Sequence, residues 1–582
     1  MEKAILSGNE AIARGFYEAG GVFASAYPGT PSTEILENIG NYQEIQAQWA
    51  PNEKVALEVA AGASLGGVRS LVAMKHVGLN VAADPFFSLS YQGVNGGLVI
   101  ISADDPSMHS SQNEQDNRWF ARAAKMPMLE PSDSQEAKDF TMLALELSEK
   151  FDTPILLRTT TRINHSQTIV KLGNRYQIPT KKYVKDMAKN VLLPANARKK
   201  HVQVEKRLQL MEDYGIKSAC NRIEWQDREL GIITSGISYQ YAKESFPDAS
   251  ILKLGLTYPL PRALIRDFAN QVVKIYVIEE LDPFIEEQIA AMGIKVVGKE
   301  RLPLIGELDQ SVVSSSFFEK SDIGSSALHD VQIPPRPPVL CPGCSHRGMF
   351  YAFKKLRLTV TGDIGCYTLG ALPPLQSMDT CLCMGASIGF AHGLEKAGDE
   401  DLKGKVIGVI GDSTFFHSGI TGLIDIVYNQ GKTKICILDN QITAMTGHQE
   451  HPGSGLTLRQ QPTKKVDIET ICRAAGIERV VKVDPYNLEQ TLAVLKEEMQ
   501  ADEPSVIIAD APCVIRARIR FSKSYFVDAE TCNKCGMCHR VGCPAIEKDA
   551  AGKAKINSLL CIGCDICRQV CKPAAIQRPA DN

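Results

Sequence analysis

The apolar positions of the chain fall into short runs separated by stretches with helical spacing. Two of the runs are KVIGVIGDSTFF at 405–416 and KICILDN at 434–440, and each leads into a Gly-Asp or Asp-Asn pair. Short runs rich in β-branched residues are typical of parallel strands that are buried on both faces. The intervening stretch, HSGITGLIDIVYNQG, predicts a crossover helix that Gly431 closes. The pattern therefore predicts an α/β fold built on parallel sheets.

Two polar residues follow these predicted strands. Asp412 and Asn440 would lie at the carboxyl ends of parallel strands, where open α/β sheets place their ligands. Their carboxylate and amide oxygens, together with a backbone carbonyl at Ile442 and phosphate oxygens, make up an octahedral ligand set suited to Mg²⁺. Gly-Asp after a strand is also common in α/β proteins that bind nothing there, so the spacing alone leaves both interpretations open.

A second group of strand-like segments lies within 225–305. It comprises GIITSGISYQ, ILKLGLTYPLP and KIYVIEELDPF, interleaved with helical patterns and without a cluster of ligand residues. The joins at 176–224 and 306–340 are polar or rich in Pro and Ser, which predicts linkers. The basic run at 198–201 is short, and we expect it to be solvated rather than to bind nucleic acid.

Charge and hydropathy exclude several classes of protein. The 582 residues carry a formal net charge of −3, which gives no general attraction for polyanions. The N-terminal MEKAILSGNEAIARG turns polar after three apolar residues, and no window approaches the roughly eighteen consecutive apolar residues of a membrane span. We therefore expect a cytoplasmic protein with neither a membrane nor a nucleic-acid partner.

The tail concentrates eight of the seventeen cysteines. They form two triplets with Cys-x-x-Cys-x-x-Cys spacing, each followed by a fourth cysteine, which is the pattern of bacterial two-cluster ferredoxins. In that pattern the fourth cysteine of each run binds the other cluster. The spacing predicts two [4Fe–4S] clusters, the first held by Cys532, Cys535, Cys538 and Cys571 and the second by Cys561, Cys564, Cys567 and Cys543. Zinc is the competing interpretation, because paired cysteines also bind zinc.

Further motifs precede the tail: CPGCSHRG at 341–348, TGDIGCYTLG at 361–370 and CLCMGASIGFAHG at 381–393. Taken alone, Cys341 and Cys344 fit small buried residues beside a cofactor, a redox pair or half of a zinc site. Together with GDSTFFHSG and LDNQITAMTG, the motifs resemble the diphosphate-binding domain of the thiamine diphosphate-dependent 2-oxoacid:ferredoxin oxidoreductases. The third residue of the GDG motif is Ser413 here. The resemblance implies these cofactor-binding residues: Cys344, His346, Gly365, Cys366, Met384, Gly385, Ser387, Gly411, Asp412, Ser413 and Asn440.

The N-terminal region resembles the pyrimidine-binding domain of the same family, through SGNEAIARGFYEAG, ASAYPGTPSTEI and NEKVALEVAAGASLGG. The resemblance implies that Glu53 activates the cofactor, and the nearby Glu58 is the alternative residue for this role. Without the family, both are polar positions on an amphipathic helix. It also implies that Thr30 lies near the 2-oxoacid, in a loop where Pro31, just inside a helix start, leaves backbone amides free for an anion.

Histidines supply the remaining candidates. His76 follows a strand-like run in MKHVGLN and is a third candidate catalytic residue. Structural roles are equally open for His76, for His346 and for His417, which lies one turn beyond the metal loop.

The resemblance spans nearly the whole chain and implies its fold class. We expect three transketolase-like α/β domains with parallel sheets, two of them thiamine diphosphate-binding-like and one like the C-terminal domain of transketolase, plus a small two-cluster ferredoxin-like tail. The implied parts are a pyrimidine-binding domain at 1–175, a linker at 176–224, the third domain at 225–305, a linker at 306–340, the diphosphate-binding domain at 341–520 and the ferredoxin domain at 521–582.

The resemblance also implies an activity. The chain would be the catalytic subunit that converts an aryl 2-oxoacid such as indole-3-pyruvate, with CoA, to an aryl-acetyl-CoA and CO2 while reducing ferredoxin. Thiamine diphosphate, Mg²⁺ and two [4Fe–4S] clusters would be its cofactors, and a smaller beta subunit would complete an alpha-beta heterotetramer. Open alternatives are a related enzyme with another 2-oxoacid, a non-catalytic iron–sulfur electron-carrier scaffold and a zinc-dependent binding module.

Overall fold

The computed structural model describes residues 2–318, 334 and 337–579. The chain divides into two compact units, Met1–Val331 and Gln332–Asn582. Residues 319–333, 335 and 336 of the linker predicted at 306–340 lie outside the described residues. None of the helices in the described ranges has both the length and the apolar character needed to cross a membrane.

The first unit alternates strands and helices. Its strands are β1 (Lys3–Ser7), β2 (Phe23–Ala26), β3 (Gln46–Trp49), β4 (Ser70–Lys75), β5 (Leu98–Asp104), β6 (Met128–Leu129), β7 (Ile155–Thr160), β8 (Gln167–Lys171), β9 (Arg222–Glu224), β10 (Asp227–Ser235), β11 (Ala249–Leu254), β12 (Leu256–Tyr258) and β13 (Lys274–Ile278). Its helices are α1 (Gly8–Glu18), α2 (Thr33–Ile39), α3 (Glu53–Leu65), α4 (His76–Val81), α5 (Ala83–Gln92), α6 (Arg118–Ala124), α7 (Ser134–Phe151), α8 (Thr161–His165), α9 (Met187–Asn190), α10 (Pro194–Lys217), α11 (Ser238–Ser245), α12 (Arg262–Ala269), α13 (Phe284–Ala290) and α14 (Gln310–Phe317).

A seven-stranded sheet organises this unit. Its strand order is β12-β6-β7-β5-β4-β2-β3, and every pairing is parallel except that of β12 with β6. All residues of β4 and β5 are buried, as expected for central strands of a parallel sheet whose crossover helices cover its faces. The carboxyl ends of β2, β4, β5 and β7 therefore meet at one edge of the sheet.

The segment at 225–305 belongs to two sheets. Strands β13, β10 and β11 run parallel, and β9 closes this four-stranded sheet in the antiparallel direction. The next strand, β12, leaves the small sheet and pairs with β6 of the large one. The seven-stranded and four-stranded sheets of the first unit are thus joined by a strand, and not only by a linker.

The stretch at 176–224, expected as a linker, contains the 24-residue helix α10. Val204, Leu208 and Met211 are buried on one face of α10. These positions follow helical spacing, so the helix packs on the unit although most of its residues are polar. Within the basic run at 198–201, Lys200 is also buried.

The second unit contains an α/β layer followed by the small tail. Its strands are β14 (Thr359–Gly362), β15 (Thr380–Cys381), β16 (Val406–Gly411), β17 (Lys434–Asp439), β18 (Arg479–Val483), β19 (Ser505–Asp510), β20 (Phe526–Val527), β21 (Ile546–Lys548), β22 (Ala554–Ile556) and β23 (Ile576–Gln577). Its helices are α15 (His346–Leu356), α16 (Ala386–Lys396), α17 (Asp412–Thr414), a π-helical turn (Phe415–Gly419), α18 (Ile420–Tyr428), α19 (Ile468–Ala474), α20 (Leu488–Gln500) and α21 (Ile566–Gln569).

The six-stranded sheet of this unit is parallel throughout, in the order β15-β14-β16-β17-β19-β18. The two runs from which the strands were predicted are β16 and β17. The crossover helix α18 ends at Tyr428, and the left-handed residue that follows it is Gln430, with φ of 52°, and not Gly431. Glycine is required at 431 for another reason, because a Cβ there would stand 2.5 Å from the His392 ring.

The tail packs around a small core to which Tyr351 and Leu488 of the α/β layer also contribute. Two short antiparallel pairs, β20 with β23 and β21 with β22, frame it. Buried Val541 and Ile566 pack there together with the buried cysteines Cys538 and Cys561. The cysteine runs are therefore part of the tail's interior.

Candidate functional site

The carboxyl edge of the six-stranded sheet brings together the polar residues that follow β16 and β17. Asp412 is 3% exposed; its Oδ1 accepts a hydrogen bond from the Ser413 amide at 2.8 Å and its Oδ2 one from the Gln441 amide at 2.7 Å. Asn440 is buried, and its Oδ1 accepts from the Ile442 amide at 3.2 Å. Adjacent parallel strands thus place the Asp412 carboxylate against the Asn440 loop, as their positions in the sequence predict.

His451 was not predicted, although it contacts this site. Its Nε2 lies 3.1 Å from Asp412 Oδ2, and its Nδ1 accepts a hydrogen bond from the Gly453 amide at 3.0 Å. The proton is therefore on Nε2, which donates to Asp412. Burial alone would lower the pKa of His451 and raise that of Asp412. The Asp412 carboxylate nevertheless raises the pKa of His451, and the imidazole in turn lowers the pKa of Asp412. The pair keeps the carboxylate ionised in a buried position.

His346 fixes the other half of the site. Its Nε2 lies 3.3 Å from the Asn440 amide nitrogen, and burial lowers its pKa to about 4. A neutral imidazole that accepts from the Asn440 nitrogen turns the amide oxygen away from itself. His417 is also buried and pairs with Ser418 Oγ at 2.6 Å through its Nδ1.

The start of α16 forms a third wall. The buried Asp363 accepts hydrogen bonds from the backbone amides of Gly385 at 2.9 Å and Ser387 at 3.0 Å. Ser387 Oγ is buried and has no hydrogen-bond partner among the described residues. A buried hydroxyl without a partner is costly, so this atom is available to a bound polar group. Met384 is half-buried beside it.

Two glycines that were predicted to bind the cofactor pack against the ring of the same tyrosine. A Cβ at Gly365 would lie 2.3 Å from the Tyr367 ring, and one at Gly411 would lie 2.6 Å from it. Any side chain at either position would push the ring, so both glycines are explained by close packing next to the Asp412 loop.

Four cysteines from three loops lie beside these residues; we call Cys341, Cys344, Cys366 and Cys513 the loop set. The Cys344 amide donates to the Cys341 carbonyl at 3.1 Å, and the Cys513 amide donates to the Asn440 carbonyl at 3.0 Å. Burial and the neighbouring thiols raise the pKa of Cys344 to about 12 and that of Cys366 to about 11; Cys341 acts on both, and Cys513 acts on Cys366.

The positions of the loop-set cysteines decide between the interpretations of the CPGC motif at 341–344. Cys341 is exposed, so it is not the small buried residue that one interpretation predicted. Sequence reasoning missed Cys513, because a single cysteine after a strand has no motif around it. The signal that could have found it is its position two residues beyond the strand-like run ending in Asp510 and Ala511, at the same sheet edge.

The tail cysteines separate into two sets, each lining one cavity. The inner set is Cys543, Cys561, Cys564 and Cys567, and the outer set is Cys532, Cys535, Cys538 and Cys571. Among the described residues, no group of three or more His, Cys, Asp or Glu side chains is arranged to hold a single metal ion. The ligands of a cubane surround the body of the cluster, so a shared cavity is the relevant geometry for these sets.

A buried arginine connects the inner set to the diphosphate-binding segment. The Arg347 guanidinium is 1% exposed and donates to the carbonyls of Leu340, Cys341 and Val541. Within the described part of the chain, three carbonyl acceptors and no carboxylate stabilise this cation. Arg347 also lines the cavity of the inner set.

In the first unit, Thr30 lies in the loop after β2. The Pro31 carbonyl accepts hydrogen bonds from the side chains of Asn9 at 2.8 Å and Asn164 at 3.1 Å. The sequence predicted that Pro31 lies just inside a helix start, and this prediction is wrong. Helix α2 begins only at Thr33, so Pro31 precedes the helix. The loop is instead held in place by two buried amides.

Glu53 and Glu58 are distinguished by their surroundings. Glu53 is the first residue of α3, is 4% exposed and lies against Gly78, where a Cβ would stand 2.6 Å from its Oε1. Glu58 is exposed and pairs with Lys54 on the surface of the same helix. Only Glu53 faces the interior.

His76 and Lys75 follow β4 at the same sheet edge. His76 is fully buried, its Nε2 lies 3.1 Å from Asn113 Oδ1, and its Nδ1 has no partner among the described residues. Burial lowers the pKa of His76, which favours the neutral ring. Lys75 was not predicted; burial, opposed by Asp105, lowers its pKa to about 8, and its Nζ donates to the Ser110 carbonyl at 2.6 Å.

A buried ionic network lies where strands of the two sheets of this unit end. Arg158 pairs with Asp104 at 2.9 Å, and Arg118 pairs with Glu279 at 2.6 Å. Glu280 is 4% exposed, and its Oε1 accepts a hydrogen bond from the Leu308 amide at 3.0 Å. Burial raises the pKa of Glu280 to about 7.

Comparison with known families finds two matches along the chain. Residues 14–221 match the thiamine diphosphate-binding family of pyruvate flavodoxin/ferredoxin oxidoreductases, and residues 363–509 match the C-terminal TPP binding domain of thiamine pyrophosphate enzymes. The first match contains Thr30, Glu53 and His76, and the second contains Asp363, Asp412 and Asn440.

Full-length relatives are also found. The chain is 43% identical to indolepyruvate oxidoreductase subunit IorA of Archaeoglobus fulgidus, over 100% of this chain and 98% of that protein. It is 40% identical to the same subunit of Pyrococcus horikoshii, over 99% and 97%. A solved 2-oxoglutarate:ferredoxin oxidoreductase from Magnetococcus marinus covers 54% of this chain and 64% of its own, with a TM-score of 0.46 and 18% identity, which is too distant to inform the site. The chain belongs to the family of indolepyruvate oxidoreductase subunit IorA.

Proposed function

We propose that this chain is the catalytic subunit of an indolepyruvate:ferredoxin oxidoreductase. Indole-3-pyruvate, CoA and two oxidised ferredoxins give indoleacetyl-CoA, CO2 and two reduced ferredoxins. The observation that carries the proposal is the convergence of Asp412, Asn440 and the loop set at one sheet edge. Asp412 and Asn440 lie within the region that matches a thiamine pyrophosphate-binding family. The full-length likeness to relatives named indolepyruvate oxidoreductase supports the substrate.

The residues at this edge fit thiamine diphosphate with Mg²⁺. Asp412, Asn440 and the Ile442 carbonyl form a set of oxygen donors for a hard cation, and Ser387 Oγ is a buried donor free for phosphate. His451 orients the Asp412 carboxylate and His346 orients the Asn440 amide, as residues behind a metal site commonly do. Thiamine diphosphate, when bound, supplies the electron sink that lets the substrate carboxylate leave as CO2.

The first unit would supply the residues for the pyrimidine end of the cofactor and for the substrate. The Glu53 carboxylate would hold the proton shared with the aminopyrimidine ring, and its burial keeps water from competing for that proton. Thr30 and His76, whose Nδ1 has no protein partner, would contact the 2-oxoacid. The domain division at 1–175, 225–305, 341–520 and 521–582 is part of the same proposal.

The cysteine sets fit iron–sulfur clusters. The inner and outer sets each provide four thiols around one cavity and would hold the two [4Fe–4S] clusters of the tail. The loop set has the same composition and lies next to Asn440, so we extend the proposal to a third cluster there. Such clusters, when bound, carry single electrons. A smaller partner subunit, in an alpha-beta heterotetramer, and ferredoxin complete the proposal; the relatives are themselves named as subunits.

The test combines a binding measurement with turnover. Protein purified anaerobically with its partner subunit should show broad absorbance near ~400 nm, contain iron and not zinc, and reduce ferredoxin with indole-3-pyruvate and CoA. Asp412→Ala should weaken binding of thiamine diphosphate in the presence of Mg²⁺ by more than about tenfold, because it removes a metal ligand. Asp425→Ala, an exposed carboxylate on α18, is the matched control and should bind normally.

Two results would overturn the proposal. A colourless, zinc-containing protein would refute the iron–sulfur assignment, and equal cofactor affinity in both variants would refute the Mg²⁺ site. Comparing kcat/KM for indole-3-pyruvate, phenylpyruvate and pyruvate tests the substrate, since a higher value for pyruvate would assign the enzyme to another 2-oxoacid.

A further inference from the structure

The three cysteine sets of the second unit are neighbours in series. Gly343, inside the CPGC turn of the loop set, packs on the inner set's segment, since a Cβ there would stand 2.1 Å from the Ile562 side chain. Cys538 of the outer set and Cys561 of the inner set pack in the same hydrophobic core. The order is therefore loop set, inner set, outer set, and the outer set ends the series.

The outer set is also the more open one. Pro342, Gly343 and Arg347 of the diphosphate-binding segment cover the cavity of the inner set. In contrast, Cys535 of the outer set is exposed to solvent. An electron acceptor that must come close to a cluster would find it at the outer set.

Basic side chains form the rim of the outer cavity. Lys534, His539 and Lys548 line it, and none of the described residues lining this cavity is a carboxylate. Lys534 and Lys548 are exposed, and neither forms an ion pair with the described residues. Lys534 and Lys548 supply the positive charge of this rim.

The tail as a whole also carries a net positive charge. Residues 521–582 contain nine Lys and Arg against six Asp and Glu, whereas the full chain has 64 against 67. A positive patch on a slightly acidic protein attracts a negatively charged partner and raises its rate of association.

We propose that the rim of Lys534 and Lys548 around the outer set is the docking surface for a small acidic electron-carrier protein. The proposal rests on the proposed function and specifies where its acceptor binds. Each encounter adds one electron to the oxidised carrier, so the two electrons from each 2-oxoacid leave in two encounters. The carrier is recognised by its carboxylates, because the rim provides ammonium groups that have no partner within the described chain.

The experiment measures binding directly, so it does not depend on turnover. Full-length protein, purified anaerobically with its clusters and any partner subunit, is titrated with an acidic two-cluster ferredoxin at about 20 mM and about 300 mM NaCl. Lys534→Glu/Lys548→Glu should weaken Kd by about tenfold or more at low salt and make it nearly independent of salt. Lys523→Glu, another exposed lysine of the tail that lies outside the rim, should change Kd by less than about twofold. Iron content and visible absorbance should be unchanged in all variants, since no cysteine is altered.

The outcomes separate the two proposals. Equal affinity of wild type and the double variant, or an equal loss in Lys523→Glu, would overturn the docking surface even if the wild type reduces a viologen dye with indole-3-pyruvate and CoA. Lysine-dependent binding without any dye reduction would support the docking surface and refute the proposed activity. Binding of cytochrome c, a basic carrier, as tight as that of the ferredoxin would refute recognition by charge.

Discussion

Replacing Gly78 by alanine is expected to disable the enzyme while leaving it folded. The new Cβ would stand 2.6 Å from Glu53 Oε1, 2.7 Å from its Cγ and 2.8 Å from its Cδ. Non-bonded contacts are optimal near ~3.5 Å, so the Glu53 side chain must move by about 1 Å. The substitution thus displaces the proposed cofactor-activating carboxylate without changing it chemically.

The effects on stability and on activity should differ in size. Alanine in place of glycine within α4 gains up to about 1 kcal/mol of helix propensity, while overpacking costs about 1–3 kcal/mol, so the free energy of unfolding falls by at most about 3 kcal/mol. A displacement of about 1 Å in a reacting group can reduce turnover by about 100-fold. We therefore expect kcat to fall by about that factor with only a small change in Tm.

The assay is the steady-state reduction of ferredoxin by the complex with indole-3-pyruvate, alongside thermal unfolding. Gly62→Ala is the control on the neighbouring helix α3, because nothing lies within 4 Å of its Cβ; its kcat should be normal. Glu53→Gln and the double variant complete the cycle: if Gly78→Ala acts through Glu53, the double variant is no slower than Glu53→Gln alone. A kcat for Gly78→Ala within about threefold of wild type, less than 1 kcal/mol in the barrier, would refute the placement of Glu53.

Two further predictions concern the tail and the ionic network. Cys543→Ser should remove the cluster of the inner set first, which would be measured as a loss of about four irons per chain while the signals of the outer set persist. Cys383→Ser, which changes an exposed cysteine outside all three sets, should leave the iron content unchanged. Loss of the outer set's signals first would contradict the assignment. Because burial raises the folded-state pKa of Glu280 from 4.5 to about 7, its contribution to stability is fully present below pH ~4.5 and is lost as the pH rises through ~7, at about 1.4 kcal/mol per pKa unit. Glu280→Gln should therefore raise Tm at pH ~8 and have much less effect at pH ~5; equal shifts at both pH values would show that Glu280 is ionised in the folded protein.

Local patterns predicted the parts of the site that lie within one strand and its loop. The runs ending at Asp412 and Asn440 have the composition of buried parallel strands, and the sheet then determines which ends meet. The two sets of tail cysteines were predicted from the two-cluster ferredoxin pattern, in which a short Cys-x-x-Cys ladder supplies three members of each set and the other run supplies the fourth.

Contacts that arrive from distant loops could not be predicted in this way. His451 reaches Asp412, and Cys513 joins the loop set, only because the chain returns to the same sheet edge. Helix α10 was expected as a linker because its few buried residues are surrounded by charged ones, and its apolar face is recognised only when the surface beneath it is known.

The hydrogen bonds of Arg347 fix the tail to the segment that precedes α15. A carrier domain on a flexible tether works by swinging between donor and acceptor, and it can be exchanged between proteins by gene fusion. Here one buried guanidinium joins carbonyls of the diphosphate-binding segment to the Val541 carbonyl of the tail, so undocking the tail would leave a buried cation without its acceptors. The tail is therefore held in place, and under the proposed function it would be a stationary relay. A graft from another ferredoxin would have to reproduce the Val541 carbonyl as well as the eight cysteines.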